Sequence, residues 1–237
     1  MYRFRIEYSK QGPMAYISHL DLTRTFERAA RRAGLPVALS QGYHPHYKFS
    51  FGSVLPVGME GEREYLDMEL TGQSAPAEIG QALQQQMPLG LKIRQVRMVP
   101  LEAPSLMTLI DVARYAITAQ LCPNAGILSS AEFTQRLAQA LARESWPIVR
   151  SSVKGTREIE ARDSVIRLDL TWQNQLVQGD IWLKLNASKA IRPIEVMESL
   201  ERYGGLTWDK NNLRIRRTGL FVSREGRYLS PMDVITR

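Results

Sequence analysis

Cysteine is almost missing: one residue, Cys122, in a chain of 237. A lone thiol excludes a disulfide framework, a zinc centre of several thiolates, and an iron-sulfur cluster held by several cysteines of this chain. Histidine is nearly as scarce, and His19, His44 and His46 all fall within the first fifty residues. Nothing in their spacing makes them converge with a carboxylate such as Asp21, so no metal is expected. No stretch approaches the roughly 20 consecutive apolar residues of a membrane helix. The start, MYRFRIEYSK, alternates charge with bulk where a signal peptide would run apolar, and the expected location is the cytoplasm. A phosphate-binding glycine loop, a dinucleotide fingerprint, a Ser-His-Asp order and HExxH are also lacking, and a nucleotide cofactor is not expected.

What is present is a foldable, basic chain. A hydrophobic content of 44% is enough for a real core, and the length suits one large domain or two small ones. The formal charge of +7 and a pI near 9.7 favour a polyanionic partner. The first sixty residues hold eight Lys/Arg against four Asp/Glu, and the last fifty-seven hold eleven against six. The excess sits at the two ends, so a basic surface requires the fold to bring those ends together.

Periodicity supplies the elements. YRFRIEY (2–8) alternates as a half-buried strand, with Tyr2, Phe4, Ile6 and Tyr8 on one side. Ser18 and Asp21 form a capping signal, followed by Leu22, Phe26, Ala29, Ala30 and Ala33 at helical spacing up to Gly34 and Pro36. Strands at 46–51 and 64–70, a helix from Pro76 and a strand at 91–99 complete the order β-α-β-β-α-β. The same order returns beyond Pro100 and Pro104: a strand at 112–119, a helix from Ser130, a hairpin from 165 to 185, a helix from Pro193, and a strand at 213–222. The predicted fold class is α+β, with two tandem ferredoxin-like (β-α-β-β-α-β) units and antiparallel sheets. The first unit is placed at 1–102 and the second at 103–237, with an extra hairpin near 150–163 around Lys154 and Gly155.

The segment SQGYHPHYKFSFG (40–52) gathers two histidines, a lysine and four aromatic rings around a proline turn. Alternation puts His46, Lys48 and Ser50 on one face and Tyr47, Phe49 and Phe51 on the other. In one reading the rings are core and the polar residues are solvated; in the other, His44, His46, Lys48 and Ser50 hold a phosphate while a ring stacks on a base. Helix one also has a basic face of Arg24, Arg28, Arg31 and Arg32. It is either a solvated stripe or a set of phosphate contacts. Further candidates for the RNA surface are Lys154 and Arg157 in the hairpin and Arg214, Arg216 and Arg217 in the last strand. Arg3 and Arg5 are expected to pair with Asp67 and Glu69 across neighbouring strands. If the chain is an enzyme, His19 or His44 is the candidate acid-base group for metal-independent RNA cleavage.

Two segments carry a resemblance to a known family: RFRIEYSKQGPMAYISHLDLTRTFERAARRAGLPVALSQGYHPHYKFSFGSVLPVGMEGEREYLDMEL, and KGTREIEAR at 154–162. The chain resembles the bacterial radical-SAM-linked proteins (DUF2344), members of which stand beside, or fused to, a radical SAM enzyme. The resemblance implies that enzyme as partner, with the iron-sulfur cluster and SAM held by the partner and no cofactor in this chain. A looser likeness is to the CRISPR-RNA-processing endonucleases, which look like two ferredoxin-like units and cut RNA with a histidine of the first. Three functions stay open: an RNA-binding accessory module presenting a structured RNA (tRNA or rRNA) to a radical SAM enzyme, a metal-independent endoribonuclease, and a protein adaptor for that enzyme.

Overall fold

The computed structural model describes residues 1–123, 126, 129–152, 155–185 and 190–234. The chain divides into two compact units, one of Met1–Asp111 with the C-terminal segment from Arg217, the other of Val112–Arg216.

In the first unit, β1 (Tyr2–Lys10) is followed by a 3-10 turn at Gly12–Tyr16 and by α1 (His19–Arg32), then β2 (Phe49–Phe51), β3 (Glu60–Leu70), α2 (Pro76–Gln86) and β4 (Leu91–Val99). The strands lie in the order β4-β1-β3, with β2 also against β3, and every pairing is antiparallel. This is the ferredoxin-like order expected from the sequence. Helix α1 begins where the Ser18 hydroxyl accepts the Asp21 backbone N–H at 3.1 Å, and it stops before Gly34, whose φ of +66° suits glycine. Its apolar stripe of Leu22, Phe26, Ala29 and Ala30 packs with Phe4, Ile6, Leu66 and Met68 in one core. Tyr47, Phe49 and Phe51 pack against the same core; the Phe51 ring meets Phe26 at 5.8 Å and Tyr8 at 6.5 Å, edge to face. These rings are therefore on the helix side of the sheet. Strand alternation puts Arg3, Arg5, Glu7, Asp67 and Glu69 on the opposite, polar side.

The second unit contains β5 (Val112–Gln120), α4 (Ser130–Leu141), the hairpin β6 (Pro147–Ser152) and β7 (Gly155–Glu160), β8 (Val165–Gln173), β9 (Leu176–Lys184) and α5 (Pro193–Gly204). Its strands run β5-β9-β8, antiparallel throughout, and β6-β7 form a separate two-stranded sheet. Strand β10 (Arg214–Arg224) closes the β-α-β-β-α-β series. At β9, Gly179 lets the β8 backbone approach, since a Cβ there would lie 1.8 Å from the Asp169 carbonyl oxygen. All four tryptophans, 146, 172, 182 and 208, belong to this unit.

The limits of the two units differ from the division at 102/103 read from the two prolines. Residues 100–111 stay with the first unit, where α3 (Leu106–Leu109) buries Leu106 and Leu109, and a Cβ at Gly52 would lie 3.0 Å from the Ile110 side chain. From Arg217 onward β10 also belongs to the first unit, as the neighbour of β3, and β11 (Arg227–Leu229) pairs with it. The two ends of the chain thus share one unit. They meet through buried ion pairs and carbonyls: Arg5 donates to Asp67 and to the Pro231 carbonyl, and Arg217 donates to Glu64.

Candidate functional site

The polar side of the first sheet opens into a cavity of about 220 Å³ lined by Arg3, His46, Lys48, Ser50, Asp67, Glu69 and Ser105, with Tyr47 and Phe49 also at its wall. Apart from Ser105, which caps α3, the side chains arrive there by strand register. Arg3 stands opposite Glu69 on β1 and β3, Ser50 stands opposite Asp67 on β2 and β3, and the Leu39–Tyr47 bridge sets His46 and Lys48 beside them. The Lys48 ammonium donates to Glu69 Oε2 at 2.9 Å, and Arg3 donates to Glu69 Oε1 at 3.2 Å and to the Ala103 carbonyl at 2.9 Å. Burial alone would raise the Glu69 pKa, but the hydrogen bonds and charges of Lys48 and Arg3 outweigh it and hold the carboxyl below its ordinary value.

The charge balance follows. Asp67 is held by two hydrogen bonds from Arg5, at 2.8 and 2.9 Å, and that pair is closed to solvent. Arg3 and Lys48 then share the single carboxylate of Glu69, which leaves one positive charge in excess. Donors surround the cavity: Arg3, Lys48, the Ser50 and Ser105 hydroxyls and the His46 ring, whose Nδ1 is 2.9 Å from Ser40 Oγ. Such a set suits a phosphate or another oxyanion.

Of the residues singled out from the sequence, His46, Lys48 and Ser50 meet at this cavity. His44 lies apart, exposed on the loop with its ring edge-to-face on Tyr43 at 5.4 Å. His19 opens α1, exposed, its ring 5.0 Å from Phe51. Among the described residues neither His19 nor His44 has a carboxylate partner, and no three His, Cys, Asp or Glu side chains form a metal-ligand cluster.

The arginines of α1 do not join the cavity, because the helix packs on the other side of the sheet. Arg24, Arg28 and Arg31 are exposed; Arg24 lies 3.7 Å from Asp21, Arg28 donates to Thr25, and Arg32 donates to the Gln86 carbonyl at 2.7 Å. Arg157, Arg214 and Arg216 are exposed on the second unit, Arg214 bonding the Asn211 carbonyl at 2.7 Å. Lys154 lies outside the described residues. Arg217 requires a correction: it is 1% exposed and its guanidinium is used by Glu64 and by the Ser53 carbonyl, so it offers nothing to an RNA surface. The strand alternation that exposes Arg214 and Arg216 turns Arg217 inward.

Sequence reasoning missed Arg3, Glu69 and Ser105 as parts of the site. For the first two the signal was present: a pairing of Arg3 with Glu69 placed both beside the strand that carries Lys48. Ser105 had none, being brought in by the short helix α3.

Comparison with known proteins adds a family and little else. Residues 3–193 match the family described as "Uncharacterized protein conserved in bacteria (DUF2344)". No curated protein matches. Among solved structures, "An RAMP protein binding different RNA substrates" aligns at 8% identity, covering 91% of this chain and 99% of that one, with a TM-score of 0.24. A DypB variant in complex with manganese aligns at 8% identity over 92% and 93% of the two chains, TM-score 0.23. DyPB from Rhodococcus jostii RHA1 aligns at 9% over 92% of each, TM-score 0.23. Likeness at that level carries no functional argument.

Proposed function

The chain belongs to the bacterial DUF2344 family, and from the geometry above we propose that it is an RNA-binding accessory module that presents a structured RNA to a partner radical SAM enzyme. The observation that carries the RNA half of this reading is the cavity in which Arg3 and Lys48 share one carboxylate, with His46, Ser50 and Ser105 around them. A phosphate of the strand competes with Glu69 for two cations already held in place, so no ordering of long side chains opposes binding. The exposed arginines of α1 add a second, sequence-independent contact on the other side of the same sheet. The Phe51 ring serves as core, packed on Phe26 and Tyr8, while Tyr47 and Phe49 pack against the same core and also border the cavity.

The partner half rests on the family resemblance. In this reading the iron-sulfur cluster and SAM belong to the enzyme, and the present chain supplies grip and orientation. The test is a pulldown of the tagged chain from its native cells, with bound RNA sequenced and proteins identified. Co-recovery of one RNA class and a radical SAM enzyme is the expected result. Recovery of the enzyme without RNA, undisturbed by RNase, would favour the protein-adaptor reading.

A further inference from the structure

The second unit has an arginine cluster of its own, on residues that the cavity of the first unit does not use. In the β6-β7 hairpin Arg150 and Arg157 are paired directly opposite each other. They share a face with Ile148 and Ile159, which are paired next to them and buried. Like charges in such a cross-strand position repel, and hairpins avoid them unless an anion lies close by. One anion is present: Glu195, buried on α5, accepts from Arg150 Nε at 2.7 Å and from Arg192 Nη2 at 2.6 Å and the Arg192 backbone N–H at 2.7 Å. Its carboxylate is fully used by these two residues. Arg157 is not served by it; it is exposed and without a protein partner among the described residues.

The arrangement aligns guanidinium groups without neutralising all of them. Arg150 and Arg192 each place Nε and Nη2 on Glu195, and the Nη1 of each has no acceptor among the described residues. The cavity beside them, about 100 Å³, is lined by Arg192, Arg202, Ser199, Glu195 and Glu198 among others. Arg150 and Arg192 thus converge on the one buried carboxylate of Glu195, Arg150 also donating to the Ala190 carbonyl at 2.7 Å, and Arg157 stands opposite Arg150 with no carboxylate of its own among the described residues; Arg202 donates to the Pro147 carbonyl. Forked, pre-aligned donors in excess over carboxylates are what a phosphate oxygen set requires.

We propose that Arg157, Arg150 and Arg192 form a phosphate-binding site on the second unit, with Glu195 as the positioning residue that orients two of them. The ligand class is a phosphate of a polynucleotide backbone or of a soluble polyphosphate. The site does not depend on the first-unit cavity.

The experiment uses the full chain and two probes, inorganic tripolyphosphate and a labelled single-stranded RNA. Arg157→Gln is the clean variant, because this side chain holds no protein partner among the described residues. Arg192→Gln is a second variant, checked for folding by its thermal melt. The control is Arg167→Gln, which removes the same charge from an exposed residue of β8 paired with Asp169. Tripolyphosphate affinity should fall at least threefold in Arg157→Gln and in Arg192→Gln relative to the control. With RNA, removal of each phosphate contact should flatten the log-affinity versus log-salt slope by about 0.7, which would identify a backbone ligand. An unchanged RNA slope with weakened tripolyphosphate binding would identify a soluble polyphosphate. If both variants bind tripolyphosphate as the control does, the site does not exist.

Discussion

Arg5 and Asp67 occupy paired positions on β1 and β3 and are joined by two parallel hydrogen bonds, 2.8 and 2.9 Å, with Arg5 fully and Asp67 almost fully shielded from solvent. This pair removes Asp67 from the charge balance of the adjoining cavity, so that Arg3, Lys48 and Glu69 set its sign. It also holds the C-terminal segment, because Arg5 Nη1 donates to the Pro231 carbonyl at 2.9 Å. Removing one member leaves the other buried and uncompensated. Asp67→Asn should therefore cost about 3–5 kcal/mol, read from urea unfolding, and a loss below about 1 kcal/mol would show that the pair is not closed to water.

Glu195 supplies a pH dependence. Burial would raise its pKa, but hydrogen bonds from Arg150 and Arg192 lower it from the ordinary 4.5 to about 2. A folded-state pKa below the unfolded one contributes stability that is complete above about 4.5 and is lost as pH falls toward 2. Since every tryptophan lies in the second unit, tryptophan emission reports this unit alone. Glu195→Gln should lower its stability at pH 7 by roughly 2 kcal/mol, as for a hydrogen bond to a charged group. It should also remove most of the pH dependence across that window, and an acid transition that survives unchanged in Glu195→Gln would assign it to other carboxylates.

The α1 arginines make a separable contribution. Replacing Arg24, Arg28 and Arg31 together by Gln should weaken binding to many RNA sequences alike and flatten the salt slope by about 0.7 for each phosphate that is no longer neutralised. Because α1 and the Lys48 cavity lie on opposite sides of the sheet, the losses from the triple variant and from Lys48→Gln should add in log units. A slope unchanged in the triple variant would remove this face from the RNA surface.

His19 and His44 separate grip from catalysis. Neither has a carboxylate to orient it as a base among the described residues, so wild-type protein incubated with RNA in EDTA should leave the strand intact. His46→Ala, whose ring lines the cavity, should cost on the order of 1 kcal/mol of affinity, whereas His44→Ala, apart from the cavity, should cost little. Metal-independent scission by the wild type, lost in His19→Ala or His44→Ala, would instead make the chain an endoribonuclease.

The legibility of these features in the sequence has a physical pattern. Elements with strict periodicity and a chemical stop were readable: the β1 alternation, α1 between Ser18 and Gly34, the strand at 91–99, and the pairing of Arg3 and Arg5 with Glu69 and Asp67. The β6-β7 hairpin was readable from its turn, though Arg150 drew no attention because its role depends on Glu195, forty-five residues away. The prolines at 100 and 104 resembled a linker, and only the burial of Leu106 and Leu109 shows that the chain stays with the first unit for longer. Arg217 looked like its neighbours Arg214 and Arg216, because strand alternation gives no direction until the opposing Glu64 is known. The cavity itself was half legible, through Lys48 and His46, and half the product of long-range register.

The central claim is that Arg3 and Lys48 form a phosphate site in competition with Glu69, and a pair of single substitutions with opposite signs tests it. RNA affinity is measured by anisotropy for wild type, Lys48→Gln and Glu69→Gln across a salt series, with thermal melts to confirm folding. Lys48→Gln should weaken binding several-fold and flatten the salt slope by about 0.7, whereas Glu69→Gln should tighten it, because both cations are then released to the strand. If Glu69→Gln fails to tighten binding and Lys48→Gln leaves affinity and slope unchanged in folded protein, the cavity is a structural ion-pair cluster and the RNA reading of this site is wrong.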